Sequence, residues 1–90
     1  MSIFSLVVEH EGKSYSTQLD AMSVDNAANN YFTEIYPVTY KEAFGASAVS
    51  LDASNIIYVM PLEGLVNMWA ISAGRDGRYV SITCILTAPE

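Results

Sequence analysis

The segment from Ile3 to Glu9 alternates, with Phe4, Leu6 and Val8 on one side, and its β-branched and aromatic content predicts a strand. His10-Glu11-Gly12-Lys13 follows as a polar connection whose glycine tolerates positive φ. A second alternation then sets Tyr15, Thr17 and Leu19 against Ser14, Ser16 and Gln18. The two segments read as an antiparallel hairpin. Phe4, Leu6, Val8, Tyr15 and Leu19 cover a core, while Ser16, Gln18 and Asp20 face solvent.

The period then changes. Val24, Ala27, Ala28, Tyr31, Phe32 and Ile35 recur at three- and four-residue steps, opposite Asp25, Asn26, Asn29, Asn30 and Glu34, which predicts an amphipathic helix. Ser23 is the expected N-cap, Asp25 sits favourably near the positive helix end, and Pro37 is expected to terminate the helix. Asparagine is a mediocre helix former, so packing of the apolar stripe must supply most of the stability. Thr39 and Glu42 fit a capping box, predicting a second, short helix from Tyr40 to about Phe44 that stops near Gly45. Ala46 to Ser54 reads as loop.

Asn55 to Met60 predicts a strand, and Pro61-Leu62-Glu63-Gly64 a turn. Leu65 to Ala73 reads as a longer strand, with Leu65, Asn67, Trp69 and Ile71 alternating with Val66, Met68 and Ala70; its mixed faces suit a central position. Gly74-Arg75-Asp76-Gly77-Arg78 is a hairpin connection, because Asp-Gly accepts positive φ. Tyr79 to Thr87 forms the last strand, with Val80, Ile82, Cys84 and Leu86 on one face. The order ββα-short α-βββ defines an α+β fold: an antiparallel sheet of about five strands with one main helix packed on one face. One helix cannot cover both faces. Met68, Trp69, Tyr79 and Ile85 are therefore the candidate interface residues, and a symmetric homodimer would bury them, although Trp69 also suits the core.

Ninety residues, 51% of them hydrophobic, fit a single domain over 1–90 that is able to fold. The net charge of −6 sets ten acids against Lys13, Lys41, Arg75 and Arg78. Four scattered cations cannot build the field that phosphates or an anionic membrane surface require, so neither nucleic acid nor membrane is expected as a partner. Acidity would instead steer a basic protein partner. No run approaches the ~20 apolar residues of a membrane-spanning helix. Met1 to Val8 lacks a signal-peptide pattern, and Cys84, the sole cysteine, admits no intrachain disulfide. A cytoplasmic location is expected.

Candidate chemistry is sparse. His10, between Glu9 and Glu11, reads as part of a solvated connection, so that His10→Gln would cost under about 0.5 kcal/mol. Cys84, on one strand face with Val80, Ile82 and Leu86, reads as a small buried hydrophobe. Asp52 and Glu63 read as solvated carboxylates, and Asn67 as a strand amide that needs partners. With one histidine and no phosphate-cradle, nucleophile-elbow or metalloprotease motif, no catalytic residue, metal or cofactor is expected. The expected role is a non-catalytic protein-interaction domain that self-associates. An acidic antitoxin or immunity-type inhibitor of a basic partner is one alternative, and a small enzyme using His10 or carboxylates is another.

Tyr15-Ser16-Thr17-Gln18, Ala21, Ser23 and Ala27, followed by Gly64-Leu65-Val66-Asn67-Met68-Trp69, resemble a group of short bacterial proteins of unknown function. That group shares a strand, a Ser-capped helix and a later Gly-Leu-x-Asn-x-Trp segment, and the resemblance implies no activity. The hairpin followed by a capped helix also resembles the opening of HicB-like antitoxins. The basic DNA-binding extension common in that family has no counterpart here.

Overall fold

The computed structural model describes residues 1–89, apart from the Ser47 side chain. Five antiparallel strands form one sheet: β1 (Ser2–His10), β2 (Lys13–Ala21), β3 (Ile56–Pro61), β4 (Met68–Arg75) and β5 (Arg78–Ala88). Their order is β2-β1-β5-β4-β3, so β5 lies at the centre and β1 joins the first hairpin to the last three strands. Two tight turns set the register. Glu11 and Gly12 at φ 46° and 79°, and Asp76 and Gly77 at φ 56° and 77°, have the paired positive φ of type I′ hairpins, whose twist matches that of the strands.

One helical run carries the chain from β2 at one edge to β3 at the other. Four inter-strand spacings amount to about 19 Å. The run from Val24 to Phe44 is long enough to cross that width on one face, at about 31 Å for a continuous helix. Ser23 caps it as expected, in extended conformation with its side chain accepting from the Asn26 N–H. The predicted break at Pro37 is absent. Helix α1 (Val24–Asn30) passes through a π turn at Tyr31–Ile35 into α2 (Tyr36–Phe44). The Tyr36 N–H donates to the Tyr31 carbonyl five residues back, and this wide turn sets Pro37 in the first turn of α2. A proline is tolerated there. Thr39 is consequently no N-cap: it lies within α2, and its hydroxyl donates to the Ile35 carbonyl at 3.0 Å. Gly45, at φ 59°, ends the helix as its position predicts.

The helix packs its stripe on the face of the sheet that carries Phe4, Leu6, Val8, Ile71, Ala73, Val80, Ile82 and Cys84. Ala27 and Ala28 allow close approach, and Tyr31, Phe32, Tyr36 and Phe44 fill the rest, all four fully buried. Edge-on and tilted ring contacts link them, with centroids 5.0 Å apart for Tyr31–Phe32 and 5.3 Å for Phe32–Tyr36. Val49 and Leu51, in the connection after α2, are buried beneath them, and the Tyr36 hydroxyl donates to the Val49 carbonyl at 2.6 Å. Among the described residues no helix lies on the opposite sheet face. Among the described residues no helix is long and apolar enough to cross a membrane.

Candidate functional site

Of the four residues expected at an interface, three share the helix-free face. Met68 and Ile85 are cross-strand partners there, and Tyr79 pairs with Gly74 further along the same two strands. The Tyr79 ring lies over Gly74 so closely that a Cβ at Gly74 would stand 2.3 Å from it, yet the tyrosine is still 56% exposed. Trp69 faces the other way. It pairs with Cys84 on the helix side and meets Phe4 edge-on at 6.1 Å, at the margin of the core.

Asn67 departs from the strand expected of it. β4 begins only at Met68, and Gly64 and Asn67, at φ 79° and 60°, shape an exposed connection after β3. Asparagine is one of the few non-glycine residues that accept this backbone, and its exposed amide needs no buried partner. The Asn67 carbonyl accepts from the Leu86 N–H at 2.9 Å, which ties the connection to β5.

This region collects exposed apolar side chains: Ile57, Tyr58 and Met60 on β3, then Leu65 and Val66. β3 is an edge strand, distorted where its pairing with β4 shifts register between Ile56 and Tyr58. From Asn55 to Gly74 the only charged residue is Glu63. The other edge strand, β2, carries Lys13 and Asp20 among Ser, Thr and Gln side chains. The two sheet edges thus differ in chemistry.

His10 is not solvated. β1 reaches His10, whose even position places it with Phe4, Leu6 and Val8, and the imidazole is 2% exposed. Its Nδ1–H donates to the Tyr79 carbonyl at 2.7 Å, and its ring meets Phe44 edge-on at 5.1 Å. Backbone pairing of β1 with β5 stops at Glu9–Ser81, so the imidazole extends that connection by one more bond. Cys84 is fully buried as expected, and burial pushes its thiol up to about 11, away from the reactive thiolate. Asp52 caps the turn at Ala53–Asn55: its carboxylate accepts from the Ser54 hydroxyl and N–H, which hold it below its ordinary value.

A second feature had no local signal in the sequence. Where α2 overhangs β2, Tyr15, Thr39, Glu42 and Ala43 line an open groove of about 300 Å³. The hydroxyls of Tyr31, Tyr15 and Thr39 form a chain here, with the Tyr15 and Thr39 oxygens 3.1 Å apart. Burial, reinforced by the bond to Tyr15, drives the Tyr31 phenol far above its ordinary range and keeps it neutral. The Tyr36 phenol is raised to about 12, first by burial. Among the described residues no group of three His, Cys, Asp or Glu side chains is placed to hold a metal ion.

No family model, curated protein or solved structure matches the chain. The HicB-like opening and the Gly-Leu-x-Asn-x-Trp segment therefore stand on local pattern alone.

Proposed function

We propose that this chain is a protein-interaction domain that self-associates through β3, the connection after it and the adjoining helix-free sheet face. The observation that carries this reading is the gathering of Ile57, Tyr58, Met60, Leu65 and Val66 at one exposed edge, with Glu63 as the single charge from Asn55 to Gly74. Copies of a chain with net charge −6 repel one another, so like-to-like contact is favoured where charge is scarce. An edge strand also offers unpaired N–H and C=O groups, and apolar side chains on it favour pairing with another strand. A standard interface takes about 800 Å² from each partner. That is roughly a sixth of the 5155 Å² surface of one copy, an area this edge and the neighbouring Met68, Ile85 and Tyr79 can supply.

Gel filtration with light scattering tests the reading. The expected result is a dimer mass at micromolar concentration that falls to a monomer on Met60→Lys or Ile57→Lys, both at exposed sites. A monomer mass from micromolar to near-millimolar concentration overturns it, as does a dimer that both lysine variants leave intact.

A further inference from the structure

We infer that the groove between β2 and α2 is a binding site for a protonated primary amine. The hydroxyl protons of the groove decide what it can accept. Each hydroxyl has one proton to donate and two lone pairs to accept with. Thr39 spends its proton on the Ile35 carbonyl at 3.0 Å. The bond between Thr39 and Tyr15 must therefore use the Tyr15 proton, and the bond between Tyr15 and Tyr31 must use that of Tyr31. All three protons point along one chain toward the helix backbone. What remains for a ligand is one lone pair on Tyr15 Oη, one on Thr39 Oγ1, and the Glu42 carboxylate, which when ionised only accepts.

A groove that offers acceptors and no donors selects a ligand that brings donors. An ammonium group has three N–H donors and no acceptor. Its charge suits Glu42, which makes no ion pair among the described residues. Ala43 and the Tyr15 ring provide apolar wall for an alkyl stem, in a space of about 300 Å³. Lys13, two residues before Tyr15 on β2, does not fill this role: its Nζ donates to the Phe44 carbonyl at 3.3 Å, at the end of α2. The amine has two sources, a lysine side chain of another protein or a free alkylamine, and both present the same head group. This site is separate from the apolar edge at β3 and does not depend on self-association.

Amide chemical shifts recorded during titration test it. With n-butylammonium chloride, shifts are expected at Tyr15, Thr39 and Ala43. n-Butanol, which lacks the charge, and tetramethylammonium, which lacks N–H donors, should leave those residues unmoved at equal concentration. Glu42→Gln, an exposed change that leaves the fold intact, should weaken n-butylammonium binding about fivefold, the upper value for one exposed ion pair. A lysine flanked by glycines in a blocked tripeptide separates the sources. Binding tighter than n-butylammonium assigns the groove to a protein lysine, and equal or weaker binding assigns it to a free amine. Absence of shifts at the groove into the tens of millimolar overturns the inference, as does a titration that Glu42→Gln leaves unchanged or that n-butanol reproduces.

Discussion

Replacing His10 by alanine is expected to destabilise the protein by about 2–4 kcal/mol, far more than a surface substitution costs. The imidazole donates to the Tyr79 carbonyl beyond the last β1–β5 backbone pair, so truncation leaves a part-buried acceptor without that donor. A fully buried polar group stranded in this way costs about 1–3 kcal/mol, and a part-buried one falls toward the lower end. The edge-on contact with Phe44 is lost as well, and such ring pairs contribute about 0.5–1.5 kcal/mol. Urea unfolding followed by circular dichroism reads the sum as a fall of about 1–3 M in the midpoint at unchanged slope. His10→Gln separates the two parts, since an amide can donate to the carbonyl but cannot reproduce the ring contact, and it should fall between alanine and wild type. Glu11→Gln is the control: its exposed carboxylate stands 4.0 Å from His10 Nε2 and should matter by less than about 0.5 kcal/mol. A His10→Ala midpoint within error of wild type would return His10 to solvent.

Stability should be lost in alkali through Cys84 and Tyr36, whose folded values of about 11 and 12 stand above their ordinary 9.0 and 10.0, and through Tyr31, which burial raises farther still. The unfolded chain ionises first, so this contribution is complete below pH 9.0, drains away for Cys84 and Tyr36 as pH climbs toward 12, and continues to fall beyond that through Tyr31. Cys84→Ala should flatten the first part of that decline, and thermal melts across the range would expose a profile that does not change. Gly74→Ala drives a Cβ to 2.3 Å from the Tyr79 ring and 2.8 Å from the Arg78 carbonyl, and should cost about 1–3 kcal/mol. Tyr79→Ala should recover only part of this, because the carbonyl clash remains; additive losses in the double variant would show that ring and glycine do not meet.

The first hairpin and the last were legible because their turn residues and alternation agree, so each local preference supports the same register. His10 was misplaced although the alternation through Phe4, Leu6 and Val8 reaches it; the flanking glutamates masked the parity. Pro37 misled for a different reason. Proline ends a helix of regular pitch, whereas the π turn that admits it has no mark in the sequence. A usable trace was the four-residue spacing of Phe32, Tyr36, Tyr40 and Phe44, which runs through the proline unbroken. Gly64 and Asn67 likewise carried turn chemistry that strand periodicity overruled. The amine groove could not be read at all, because Tyr15 meets Thr39 and Glu42 only through the packing of α2 over β2.

The placement of β5 between β1 and β4 bears on how the chain is made. Translation delivers β1 first and β5 after every other strand, yet these two are neighbours, with Ile3 beside Ala88. A nascent chain that has reached only Gly77 holds two ribbons, β1 with β2 and β3 with β4, and no strand joins them. Both inner edges, on β1 and β4, then stand open, their outward backbone N–H and C=O groups without a strand to pair with. Closing the gap pairs segments about 80 residues apart, an entropic cost met late and all at once, which makes folding slow for a chain of this size. The sheet cannot accumulate strand by strand. Its middle arrives last, and a polypeptide stalled short of Arg78 is left with unpaired edges prone to aggregation.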